Sequence, residues 1–360
     1  MPNSEAELQS LELDAPPTAP PPLSGVLRAT PEDFEVEELP ICEPDGQGEH
    51  LWLWVRKRDL NTPVVARELA RRAGVKPFAV SFAGMKDRRA VTTQWFSLHL
   101  PGQADPSFEG DWLPGAEVLR AVRHSRKLQR GALRGNRFRL VLREVTGDPD
   151  AFAARWRALA QAGVPNYFGE QRFGADAGNL AQARHWFAGG RAPRDRDLRG
   201  LLLSSVRGGL FNAVLAERVR RGDWCRLLPG ELAMLDGSHS LFQVAAVDAE
   251  LSARVDAGDV HPTGPLVGAP GKLEPTDLAQ TVEQTVLAQW QGWVDGLERE
   301  GLTATRRALR LPPRGLSVEW LDVSTLALGF TLPAGAYATV VLRELVDYRE
   351  PDWRAGERAG

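Results

Sequence analysis

"RRALRLPPRGLSVEWLDVSTLALGFTL", residues 306–332, alternates apolar and polar side chains with the two-residue period of strands. It follows a region, about residues 164–310, whose apolar spacing is mostly helical. Examples are "LLLSSVRGGLFNAVLAERVRR" and "DLAQTVEQTVLAQWQGWVDGLERE", with one short β-like patch at "AMLDGSHSLFQV". Strand patterns also fill the first part of the chain, as in "HLWLWVRKR" (50–58), entered through the turn cluster "PDGQG" (44–48). Strands at both ends of a helical middle predict an α+β protein, a mixed β-sheet domain carrying an inserted, mostly helical domain. The expected boundaries are a sheet domain over 25–161 and 311–360 and an insertion over 162–310. Residues 1–24, with "APPTAPPP", are expected to form a disordered Pro-rich leader, because they hold too little apolar surface to offset the entropy of ordering.

Local punctuation places further elements. In "NTPVVARELARRAG" (61–74) Thr62 reads as the N-cap, Pro63 as the first helical residue and Gly74 as the stop. "DPDAFAARWRALAQAG" (148–163) has Asp148 or Asp150 at its start and Gly163 at its end. A last helix is expected near Tyr337 to Val346. The lone Gly46-x-Gly48 precedes a strand, whereas a dinucleotide fingerprint follows one, so it reads as a turn.

Composition narrows the class. The 360 residues are 43% hydrophobic and 25% charged, and no apolar run approaches the roughly 20 residues of a spanning helix. The first residues lack the basic start and apolar run of a secretory signal, so a cytoplasmic, non-membrane protein is expected. Cys42 and Cys225 lie outside any C-x-x-C spacing and the six His form no H-x-x-x-H pair, so neither a disulfide framework nor a metal site is expected. The net charge is −3, yet residues 120–143 hold nine Lys or Arg and no acid, and a basic face rather than a basic total is what nucleic acid requires.

One loop is harder to explain by folding alone. "SFAGMKDRRAVTTQWFSL" (81–98) sets Asp87 among Lys86, Arg88 and Arg89 between two strands. Neighbouring positive charge favours the carboxylate, which can then serve as a nucleophile, a base or an ion-pair partner. Three other segments share this character. "GALRGNRF" puts Asn136 between a Gly turn and a strand, and "VPNYFGEQRFG" gathers Tyr167, Phe168 and Phe173 beside Arg172 in a pattern suited to base stacking. "LPAGAYATVVLRE" places Tyr337 where a helix opens.

"FAGMKDRRAVTTQ", "RGALRGNRFRLVLREV", "GVPNYFGEQRFG" and "LPAGAYATVVLREL", in this order, resemble the TruD family of tRNA pseudouridine synthases. The likeness runs from about Gly25 to Val346 and takes in "LRATPEDFEVEE" and "FNAVLAERV". It implies a pseudouridine synthase sheet domain with an inserted TRUD domain. It implies the conversion of uridine to pseudouridine in tRNA at position 13 of the D arm, with no cofactor and no metal. Asp87 is implied as the catalytic aspartate, supported by Lys86 and by Arg28, which stands where the family motif has Lys. Phe34, Asn136 and Tyr337 are implied substrate contacts. Tyr337 stands where many relatives have Phe, and its hydroxyl could also serve the step that removes the C5 proton. Arg123, Arg126, Lys127, Arg130, Arg134 and Arg172 are candidate RNA contacts. tRNA is the expected partner of a monomer with no protein partner implied. "SSVRGGLFN" departs from the family, since Gly208 and Gly209 weaken a helix by roughly 1 kcal/mol each. A non-catalytic RNA-binding protein is one rival reading. An Asp-dependent hydrolase is the other, disfavoured because no second acid in a comparable setting is evident.

Overall fold

The structure, a computed structural model, describes residues 10, 11, 13, 15–108 and 110–352. Along the chain come β1 (Leu23–Leu27), β2 (Phe34–Pro40), β3 (His50–Arg58), α1 (Thr62–Arg72), β4 (Val80–Phe82), β5 (Val91–His99), β6 (Ala116–His124) and β7 (Leu133–Gly147). Then follow α2 (Pro149–Ala162), β8 (Val164–Pro165), α3 (Gly178–Phe187), α4 (Arg196–Arg220), β9 (Leu232–Leu235), β10 (Leu241–Gln243), α5 (Ala249–Asp256), β11 (Val260–His261) and β12 (Thr263–Leu266). The remainder is α6 (Asp277–Leu287), α7 (Gln291–Arg299), β13 (Thr305–Ala308), β14 (Arg310–Leu311), β15 (Arg314–Asp322), β16 (Thr325–Pro333), α8 (Ala338–Arg343) and β17 (Val346–Arg349).

The chain divides into two compact units. A sheet unit takes residues 22–151, 313–336 and 346 onward, and a helical unit takes 152–312, 337–345 and the described residues before Pro22. The sheet unit holds one large mixed sheet in the order β15-β16-β7-β2-β5-β3-β6, with β1 between β7 and β17 and with β4 on β5. The β2–β5 and β1–β17 pairs are parallel and the rest antiparallel. On β3 the inward row Leu51, Leu53 and Val55 packs with Phe96 and Leu98 of β5 against Val65, Ala66, Leu69 and Ala70 of α1. Each buried Leu, Val or Phe of this set contributes about 1.5–3 kcal/mol relative to exposure, which is why α1 lies on this face. In the helical unit α4 is the long central helix, accompanied by three small sheets, β10-β9-β11, β12-β13 and β14-β8. Among the described residues no helix is long and apolar enough to cross a membrane, and no group of three or more His, Cys, Asp or Glu is placed to hold a metal ion.

Several local expectations change. Asn61, not Thr62, occupies the cap position of α1, and the Thr62 hydroxyl is drawn instead into the sheet by Gln94. The helical pattern of 277–300 is broken at Ala288–Trp290, separating α6 from α7. The last helix stops at Arg343 because Val346–Arg349 is needed as the parallel partner of β1. Of the expected leader, residues 1–9, 12 and 14 lie outside the described residues. The rest is held: Leu11 is buried, Arg343 donates to Ala15 O, and the main-chain N–H of Thr18 reaches the Glu344 carboxylate at 3.1 Å. Leu11 also explains one of the two helix-weakening glycines, since a Cβ on Gly209 would fall 2.3 Å from Leu11 Cδ2. A Cβ on Gly208 would come within 3.3 Å of both Phe168 and Arg172.

The ends of α2 form as read. Asp148 Oδ1 accepts from the N–H of Asp150 and Ala151, and Gly163 closes the helix at φ +73°. A Cβ at Gly163 would lie 2.6 Å from Leu311 O, a main-chain atom with no freedom to retreat. Gly163→Ala is expected to lower stability by roughly 1–3 kcal/mol through combined left-handed strain and clash, read as a lower midpoint in chemical denaturation of the whole chain. A midpoint equal to the wild type contradicts this account.

Candidate active site

The inward face of the sheet carries polar side chains where its alternation calls for apolar ones. Strand register puts Phe138, Val36, Thr92 and Lys57 in one row across β7, β2, β5 and β3. In the next row Asn136 of β7 faces Glu38 of β2. Thr92, Gln94, Glu38 and Lys57 are all buried. Buried polar groups require partners, and Gln94, Glu38 and Lys57 each have one in the loop that follows β4, whereas Thr92 Oγ1 has none among the described residues.

That loop is tied at four points. Gln94 Nε2 donates to Gly84 O (2.9 Å), and the main-chain N–H of Lys86 donates to Thr62 Oγ1 (3.1 Å). The Lys86 ammonium meets Glu38 Oε2 at 2.8 Å, with both side chains almost wholly buried, and Glu38 Oε1 also accepts from Trp95 N. Lys57 Nζ donates to Asp87 O (2.8 Å) and to Leu60 O (2.6 Å). Burial pushes the Lys57 ammonium down to about 8, against the pull of Asp87 in the other direction. The loop charges thus go to separate partners, Lys86 to Glu38 and Arg88 to Asp59 at 3.5 Å.

The Asp87 carboxylate, 26% exposed, has Arg28 Nη2 3.6 Å away. Arg28 follows β1 with φ +57°, an uncommon conformation for a residue with a Cβ. Its guanidinium lies 3.8 Å over the Phe34 ring and forms a 2.7 Å ion pair with Glu350. Phe34 is only 2% exposed and packs edge-on to Phe138. Its expected contact with substrate therefore gives way to a core position that seats Arg28. The Asn136 Oδ1 is shielded from solvent and has no hydrogen-bond partner among the described residues. An amide so placed can present an acceptor or, with the group turned, a donor.

The basic run separates in space. Arg120, Arg137, Arg139 and Arg143 pair with Glu43, Glu37, Glu35 and Asp33, so the sequence excess is cancelled by acids from other segments. Arg123 binds Asp105 and the carbonyls of Leu100 and Gln103, a structural anchor rather than an open contact. Arg126, Lys127 and Arg130 are exposed and make no ion pair among the described residues, and exposed Arg134 donates to Pro40 O. Their loop is fixed by buried Leu128 and by the Gly131 N–H on Ala83 O (2.7 Å), where the Asp87 loop begins.

Arg172 and Tyr337 belong to the helical unit. The expected stacking residues Tyr167, Phe168 and Phe173 are buried, and Asn212 bonds both main-chain groups of Phe168. Arg307 lies 4.2 Å over the Phe168 ring and Arg172 5.0 Å from it. These rings fill a core. Burial brings the Arg307 guanidinium down to about 10, with Tyr337 acting in the opposite sense. Tyr337 packs against Gly169, where a Cβ would fall 2.9 Å from the ring.

Glu350, Glu38, Lys57, Thr62 and Gln94 were not anticipated as parts of the site. For Lys57 a signal existed, because strict alternation puts it on the face of Leu51, Leu53 and Val55. Glu350 shares Arg28 with Asp87 and is the second acid that inspection of the sequence does not reveal.

The chain is similar to known proteins along most of its length. The family model described as tRNA pseudouridine synthase D (TruD) matches residues 15–182 and 179–345. The chain is 49% identical over 340 residues to the tRNA pseudouridine synthase D of Nitrosococcus oceani, covering 92% of this chain and 93% of that protein. It is 48% identical over 329 residues to that of Methylococcus capsulatus, covering 91% and 93%. A crystal structure from Methanosarcina mazei, given the provisional name tRNA pseudouridine synthase D, superposes with a TM-score of 0.69 at 25% identity, covering 93% of this chain and 96% of that one.

Removing Glu38 tests the anchoring. Glu38→Gln leaves the buried Lys86 ammonium without a counter-charge and is expected to lower stability by about 3–5 kcal/mol, measured by chemical denaturation. A loss below about 1 kcal/mol, as for an exposed pair, contradicts the assignment.

Proposed function

The chain belongs to the tRNA pseudouridine synthase D family and isomerises uridine to pseudouridine in tRNA, and we propose that Asp87 carries this chemistry at the uridine of position 13 in the D arm. The observation that supports Asp87 is its loop. A partly exposed carboxylate stands on a segment immobilised by buried groups, with a cation 3.6 Å away.

The reaction breaks the bond from C1′ to N1, forms one from C1′ to C5, removes the C5 proton and returns a proton to N1. Nothing is gained or lost overall. A fixed carboxylate can add to C1′ or assist departure of the base through a glycal. Arg28 is positioned to balance charge as the carboxylate reacts. The Asn136 oxygen is suited to accept from an N–H on the uracil edge while the freed base turns. The uridine has to be flipped out of the tRNA, at a cost of a few kcal/mol. Arg126, Lys127, Arg130 and Arg134 are suited to offset that cost by binding phosphates. Tyr337 is assigned the ring that stacks on the freed base.

Purified protein incubated with unmodified tRNA transcripts is expected to give pseudouridine, by chemical mapping, at position 13 alone. Asp87→Asn is expected to lower the rate by on the order of 10⁴-fold or more, with tRNA binding retained. Product at another site overturns the position, and turnover by the Asn variant overturns the role of Asp87. Tyr337→Phe reports on the hydroxyl. A fall of about 10²-fold or more assigns it the C5 proton, and unchanged turnover leaves the ring with stacking alone.

A further inference from the structure

We propose that Lys57 is a positioning residue for the isomerisation, its buried ammonium fixing the main chain of Asp87 and supplying a counter-charge to its carboxylate while it is protonated. The inference rests on the reading of Asp87 as the catalytic group.

Lys57 ends the row Leu51, Leu53, Val55, all 0% exposed like Lys57 itself. A lysine in such a row is rare unless something compensates its charge. Its two hydrogen bonds go to main-chain carbonyls, those of Leu60 and Asp87, and neither neutralises it. A neutral donor would hold those carbonyls equally well, so the hydrogen bonds alone do not account for a cation here. The charged groups that face it are Asp87 first, then Lys86, then Asp59. Lys86 is already matched by Glu38, and Asp59 lies near Arg88. Asp87 is therefore the carboxylate that Lys57 serves.

The arrangement divides the labour between two cations. Arg28 is shared with Glu350 and stands 3.6 Å from the Asp87 carboxylate, too far for a close hydrogen bond. Lys57 acts through the main chain. The Asp87 loop is thus held from its main chain by Lys57 as well as through Lys86 and Glu38. When Lys57 loses its proton it keeps two N–H donors for its two carbonyls, so the hydrogen bonds persist while the charge disappears. Turnover then falls as pH rises past about 8. Folding is not the cause. An amine with a depressed value in the folded state binds fewer protons there than in the unfolded chain, so its contribution to stability improves with rising pH over that window.

The test compares single-turnover pseudouridine formation by wild type, Lys57→Gln and Asp87→Asn from pH 6 to 9.5, with tRNA binding and thermal midpoint measured for each. The uracil N3–H titrates alike in all of them. Lys57→Gln keeps an N–H donor and loses the charge. It is expected to lose at least ten-fold in kcat with tRNA binding unchanged, and to lack the alkaline limb near pH 8 that the wild type shows. Wild-type kcat and an identical alkaline limb in Lys57→Gln overturn the proposal while leaving Asp87 in place. Normal turnover by Asp87→Asn removes the premise and the role of Lys57 with it. If Lys57→Gln fails to fold, the wild-type profile decides, and a kcat flat to pH 9.5 overturns the proposal.

Discussion

The ion pair between Lys86 and Glu38 is made between two side chains almost wholly out of water, and the order of the Asp87 loop depends on it. Holding a loop still costs roughly 1–2 kcal/mol of backbone entropy per residue. An exposed ion pair, at about 0–1 kcal/mol, cannot offset that over several residues. A buried pair fixes the loop differently, because moving it would leave an uncompensated buried charge at a cost of about 3–5 kcal/mol. Glu38 also takes the N–H of Trp95, and Gln94, Thr62 and Lys57 hold the loop at three further points. The inward face of the sheet therefore gives up apolar packing at four positions, and the result is one carboxylate with a defined place.

The outward face of the same strands follows a different economy. Arg137, Arg139, Arg56 and Arg58 face Glu37, Glu35, Glu117 and Glu32 around an open groove of about 840 Å³. These pairs are hydrated and contribute little to stability, but they remove from that face the positive charge that the sequence displays. What remains basic is the loop from Arg126 to Arg134, attached by a main-chain hydrogen bond to the strand end that precedes Asp87. The exposed basic loop and the Asp87 carboxylate are thus organised by adjacent pieces of one scaffold.

Features whose causes are local could be read from the sequence. The alternation of 306–332, the cap at Asp148 and the stop at Gly163 depend on residues within a few positions of one another. Thr62 was misread as a cap because its hydroxyl partners are Gln94 and the N–H of Lys86, far along the chain. Glu350 and Glu38 were missed because strand pairing alone brings them to Arg28 and Lys86. Gly208 and Gly209 look like defects under helix propensity. Their reason is the space needed by Phe168, Arg172 and Leu11. The family motifs single out Asp87 and Asn136, and they do not say that Phe34 is buried beneath Arg28.

Thr18 bonds to Glu344 across 326 residues of chain, and β1 pairs with β17 in a similar closure. Each unit is therefore completed by residues near the end of the sequence. At roughly 5–20 residues per second of synthesis, the early segments wait on the order of tens of seconds for their partners. For that time β1 is a strand without its parallel neighbour and Leu11 awaits the helical unit that its contact with Gly209 helps to complete. The nascent chain can form α1 and its strands on the ribosome. Neither unit can close until its late segment has been made, Val346–Arg349 for β1 and Glu344 for Thr18, a delay set by the topology itself.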